Sequence, residues 1–123
     1  EKGLVDSSDF LPTIMDIAGI DAPSGYEMDG RSFLPQLKGE VGNPRDWVYF
    51  HFEPMSPRVF RKARFIRDMR WKLYDDGQLY DLNEDPDEDY PIQPSSDGSE
   101  QAEARGRLEP VFAQMVAGTP PVN

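Results

Sequence analysis

Apolar residues at Phe10, Leu11, Ile14, Met15, Ile17 and Ala18 recur at spacings of one, three and four, the stripe of an amphipathic helix running from about Ser8 to Gly19. Pro12 belongs in a first turn, where backbone N–H groups lack an intrahelical partner. Ser8 or Asp9 is therefore the expected cap, and Gly19 the stop. Pro23, Ser24, Gly25 and Asp29-Gly30 mark a loop from Ile20 to Gly30. A second short helix is expected from Ser32 to Leu37, with Phe33, Leu34 and Leu37 inward and Gly39 at its end.

After Pro44 the period changes. Trp47 to Phe52 is aromatic and β-branched, the composition of a strand buried on at least one face, with Pro54 and Pro57 ending it. Ala63 to Arg67 and Arg70 to Tyr74 read as hairpin arms around Asp68-Met69, and Asp76-Gly77 is a strong turn signal before a strand at Gln78 to Leu82. Phe65, Trp71, Leu73, Leu79 and Tyr80 supply the inward positions, leaving Arg64, Arg67, Arg70 and Lys72 for water. Asn83 to Gly98 is acidic, rich in Pro and Ser and without period, which predicts a surface loop, partly disordered. Leu108, Val111, Phe112, Met115 and Val116 stripe a last helix from about Ser99 to Ala117, which Pro110 should kink or divide.

Helix, strands, helix is an α+β order: a small antiparallel sheet of about four strands with an N-terminal and a C-terminal helix packed on it. We expect one domain over residues 1–123, comprising a helical opening segment (1–44), an antiparallel meander (45–82), an acidic loop (83–98) and a C-terminal helix (99–117).

Composition narrows the classes of function. Only 37% of residues are apolar, with 12 Pro and 10 Gly, yet 2 Trp, 5 Tyr and 7 Phe need a core. A net charge of -10 excludes nucleic acid as the main partner and disfavours an anionic membrane surface. No apolar run approaches the roughly 20 residues of a membrane span. With no Cys there is no disulfide, thiolate nucleophile or Cys-ligated zinc, and the compartment stays unknown. The chain opens on Glu1-Lys2-Gly3 without Met, as a processed product or an excised fragment would.

Two stretches carry a resemblance. The first is Val5 to Ile20, containing Asp9-Phe10-Leu11-Pro12-Thr13 and ending in Ala18-Gly19, then Asp29-Gly30-Arg31-Ser32 and Leu37-Lys38-Gly39. The second runs Ala63-Arg64-Phe65-Ile66-Arg67, Trp71-Lys72-Leu73-Tyr74, Leu79-Tyr80-Asp81-Leu82 and Asp85-Pro86-Asp87-Glu88. In this order they resemble the C-terminal third of the sulfatase family, within the alkaline-phosphatase-like superfamily. Asp89-Tyr90-Pro91-Ile92 departs from that pattern.

The resemblance implies a parent that hydrolyses sulfate esters. The family's nucleophile is a formylglycine made from Cys or Ser in a Cys/Ser-x-Pro-x-Arg motif, beside a calcium ion held by Asp and Asn. None of the serines here starts that motif, and in Ser56-Pro57-Arg58 the proline stands one residue early. Calcium and formylglycine are accordingly expected in an N-terminal sulfatase domain outside this chain, which would be its partner. Alone, the chain would be non-catalytic, with no catalytic or metal-binding residue of its own, and would self-associate through apolar surface. An independent acidic interaction module is an alternative, as is the same subdomain from a phosphodiesterase or phosphonate hydrolase.

His51, the sole histidine, sits in a Phe-His-Phe-Glu setting, and either reaches the substrate pocket of the intact enzyme or serves locally on its strand. Arg58, Arg61, Lys62, Arg64, Arg67 and Arg70 form the one basic cluster, and alternation scatters it over two faces. His51 and Arg64 are the candidate substrate-binding residues. Asp81-x-Asn83-x-Asp85-x-Asp87 hints at a calcium loop, but Pro86 and Ile92 stand where Gly and Glu are required. Trp71, Lys72 and Tyr80 read as structural.

Overall fold

The computed structural model describes residues 3–53 and 62–118. Pro54, Pro57, Arg58, Arg61 and the Ser56-Pro57-Arg58 stretch lie outside them. The chain divides into two compact units, the break falling between Val48 and Tyr49.

In the first unit, Asp6 and Asp9 close a capping box around a 3-10 turn at Ser7–Asp9. The Asp6 carboxylate accepts the Ser8 N–H at 2.9 Å, and that of Asp9 accepts the Asp6 N–H at 2.8 Å. The turn runs straight into helix α1 (Phe10–Ala18), which Gly19 ends in the left-handed conformation at φ 65°. Asp9 occupies the cap position of α1, but its carboxylate makes no capping bond there. It accepts instead from the Arg31 N–H at 2.8 Å and from the Arg45 guanidinium. Thr13 Oγ1 donates to the Asp9 carbonyl at 2.7 Å and accepts from the Phe33 N–H at 3.0 Å.

These anchors decide which side of α1 faces its own unit. Pro12 and Thr13 are its buried residues, while Phe10, Leu11, Ile14 and Ile17 are exposed. The expected stripe is present, and it points outward. Helix α2 (Leu34–Leu37) is a single turn packed against α1, shorter than anticipated. None of its residues is buried and Leu37 is exposed, so the expected inward Leu37 is corrected. Gly30 answers a close approach: a Cβ there would run into the Ser8 carbonyl, so position 30 admits no other residue without backbone movement.

The second unit is built on a four-stranded antiparallel sheet in the order β1 (Val48–Phe52), β2 (Ala63–Arg67), β3 (Trp71–Tyr74), β4 (Leu79–Asp81). Phe65 pairs with Tyr74, and Ile66 with Leu73, which in turn pairs with Leu79. Residues directly opposite share a face, so Ile66, Leu73 and Leu79 line one side with Trp71. Helix α3 (Ser99–Gly118) packs on β2 and β3 and adds Ala104, Leu108 and Phe112 to this core. Ile66 is the fully buried residue of β2, correcting the expectation for Phe65. Phe65 lies on the other face in a row of rings, with centroids 4.9 Å from Phe50 and 5.5 Å from Tyr74, itself 5.7 Å from Tyr80. Lys72 Nζ lies 4.1 Å above the Phe65 ring.

The acidic stretch after β4 is pinned, contrary to the expected partial disorder. Ile92 bridges to Leu79, and Glu88, at φ 61°, accepts from Lys72 and from the Tyr74 hydroxyl. Burial first, and then the Glu88 carboxylate, push the Tyr74 hydroxyl well above the usual phenol range. Arg105 on α3 completes the pinning by donating to the Gly77 carbonyl, the Ile92 carbonyl and the Asp97 carboxylate. Pro110 sits inside α3, which continues through it undivided. Among the described residues no helix is long and apolar enough to cross a membrane.

Candidate functional site

The neighbouring strands β1 and β2 bring the two candidate residues together through a carboxylate. His51 Nε2 lies 3.3 Å from Glu53 Oε2, and an Arg64 terminal nitrogen lies 3.8 Å from the same oxygen. Lys62 Nζ is closer, at 2.8 Å. Three basic side chains thus converge on one acceptor. Lys62 foremost, and His51 with it, hold the Glu53 carboxyl below its ordinary range.

Arg64 keeps unused capacity. Its Nε is buried without a hydrogen-bond partner, and its contact with Glu53 is too long for a hydrogen bond. The side chain lines a groove of about 350 Å³ with Leu73, Phe112 and Val116, where Asp75 and Glu109 add negative charge. That Nε is sealed from solvent, so what Arg64 can present to a ligand is the remainder of its guanidinium, on a side chain 24% exposed.

The rest of the basic cluster disperses. Arg67 Nε donates to the Asp68 carbonyl at 3.1 Å. Arg70 stacks over Trp71 at 4.6 Å and is held by Asp81 and Glu100, which keep its guanidinium firmly protonated. Arg58 and Arg61 fall outside the described residues.

The acidic turn is likewise spent on the fold. Asp81 accepts from Arg70 and the Asn83 N–H, and Asp85 from the N–H groups of Asp89 and Tyr90. Among the described residues no three His, Cys, Asp or Glu side chains gather where they could hold a metal ion. With no Cys and no Ser-x-Pro-x-Arg in the sequence, the residues present do not fit a formylglycine either. Glu53 was missed by sequence reasoning. Its only signal was its place two residues beyond His51, and its link to Lys62 and Arg64 exists only once β1 and β2 are adjacent.

A family model for the C-terminal region of N-sulphoglucosamine sulphohydrolase matches residues 1–111. The chain belongs to this family. Similar proteins include an N-acetylglucosamine-6-O-sulfatase of Bacteroides thetaiotaomicron, 33% identical over 90 residues, covering 65% of this chain and 16% of that protein. Human arylsulfatase K is 33% identical over 100 residues, covering 71% of this chain and 18% of that protein. Among solved structures, a 2-O GAG sulfatase superposes with a TM-score of 0.65 at 30% identity, covering 86% of this chain and 24% of that one. This sulfatase C-terminal chain therefore spans under a fifth of the curated relatives it matches.

Proposed function

We propose that this chain is the C-terminal subdomain of a sulfatase acting on a sulfated saccharide, that it turns over nothing alone, and that His51 and Arg64 contribute to the rim of the substrate pocket. The observation that carries this reading is the family match over residues 1–111, in a chain without Cys and without the Cys/Ser-x-Pro-x-Arg nucleophile motif. Calcium and formylglycine then belong to the remainder of the polypeptide, and no step of the chemistry passes through the residues described here.

The saccharide class comes from what relatives' names state: an N-acetylglucosamine-6-O-sulfatase, and a delta 4,5-hexuronate-2-O-sulfatase 35% identical over 86 residues. Arg64, whose side chain is 24% exposed, can present its terminal guanidinium N–H groups to a sulfate or carboxylate oxygen, and the groove beside it offers apolar walls to a sugar ring. Glu53 holds the surrounding basic side chains in position.

The test compares this chain with the parent polypeptide read through from upstream, on sulfated N-acetylglucosamine and sulfated hexuronate substrates. The parent is expected to release sulfate and the 123-residue chain none. In the parent, Arg64→Gln and His51→Gln are each expected to raise KM about tenfold with kcat little changed, the loss of roughly one hydrogen bond to a charged group. Turnover by the chain alone, or kinetics untouched by both substitutions, would overturn the reading.

A further inference from the structure

We propose that the outward face of α1 is a docking surface for the remainder of the same sulfatase polypeptide. Phe10, Leu11, Ile14 and Ile17 on the helix, and Ile20 just beyond it, are each more than half exposed. The one charged residue of α1, Asp16, is engaged sideways, its carboxylate accepting from Ser32 Oγ at 2.7 Å. A contiguous, charge-free patch of this kind on a chain of net charge -10 marks an interface.

The orientation is imposed. Rolling α1 to bury its stripe would break the Thr13 bond to Phe33 and the Asp9 bonds to Arg31 and Arg45, leaving buried polar groups without partners. The helix is thus pinned on its own unit by its polar side and presents the apolar side outward.

The occupant follows from length and charge. The chain spans 14–18% of its curated relatives and 23–24% of the solved sulfatases it superposes on, so most of such a polypeptide lies outside it. A second copy would bring another -10 charge against the first, which opposes stable pairing. The inference rests on the sulfatase reading, and places the tie to the rest of the enzyme on α1.

Because the chain is free of Cys, single-thiol probes are selective. Ile14→Cys and Ile17→Cys are labelled with a maleimide in this chain and in the parent, located by peptide mass and compared with Val41→Cys, an exposed control. In the isolated chain both probes are expected to label within about threefold of the control. In the parent they are expected to slow about a hundredfold at every protein concentration, as for a site reached only by local opening. Equal labelling in the two forms overturns the proposal, and so does protection in the parent that fades on dilution, which would assign the face to a second copy. An inactive parent that still protects both thiols sinks the enzymatic reading and leaves the docking surface standing. An active parent with freely labelled thiols does the reverse.

Discussion

Asp9 is a buried carboxylate that receives the Arg45 guanidinium and two backbone N–H groups. Burial alone would raise its carboxyl, but Arg45, and then the N–H groups of Arg31 and Asp6, prevail and bring it down to about 2. A folded value below the unfolded one, near 3.8, means the contribution is complete above the unfolded value and drains away as pH falls toward 2. About 2 kcal/mol of stability should therefore disappear between roughly pH 4 and pH 2. Asp9→Asn should cost about 3 kcal/mol in urea unfolding at pH 7, because it strands Arg45, and should flatten the acid slope. An unchanged slope below pH 4 would show that Asp9 does not govern it. Asp9 was legible in the sequence as a helix cap. Its tie to Arg45, 36 residues away, was not, since neither residue carries a local pattern that names the other.

For the elements, the decisive side chain is Arg105, nearly fully buried on α3 and donating to two carbonyls and a carboxylate. It ties the helix to the Asp76-Gly77 turn and to the segment leading into α3. Arg105→Met keeps much of the volume but leaves Gly77 O and the Asp97 carboxylate without their donor, and leaves Ile92 O with only the Leu79 N–H. We expect a loss of about 3–5 kcal/mol in denaturant titration, with early hydrogen exchange at Ile92. A loss below about 1 kcal/mol would mean water replaces the guanidinium at little cost. The strands were readable: Ala63–Arg67 stands as expected, and Asp76-Gly77 turns the chain between β3 and β4 with Gly77 at φ 85°. The facing of β2 was not, because Phe65 and Ile66 are both apolar and only the pairing of Ile66 with Leu73 settles which one enters the core. Helix α1 shows the same gap. Its stripe was plain in the sequence, but polar anchors at Asp9 and Thr13 reversed the side that turns inward.

Across the whole molecule, net charge and exposed apolar surface oppose each other. At low salt the -10 charge keeps copies apart, and raising salt from about 0.01 M to about 1 M shortens the screening length from roughly 30 Å to roughly 3 Å. Sedimentation of the isolated chain should show a weight-average mass rising with salt, and Ile14→Asp combined with Ile17→Asp should suppress the rise. A mass independent of salt in the unsubstituted chain would count against association through α1. The candidate site was half legible: His51 and Arg64 could be named as residues, whereas Glu53 emerges as their common acceptor only from strand adjacency.

The Leu79–Ile92 bridge bears on how such a chain ages in storage. Leu79 and Ile92 exchange both backbone bonds, at 3.1 and 2.8 Å, so the outer rim of a strand only three residues long is already occupied. Fibril growth requires a bare rim onto which an incoming segment can zip, and β4 presents none. Any amyloid-like templating at that end must wait until the loop carrying Ile92 peels away.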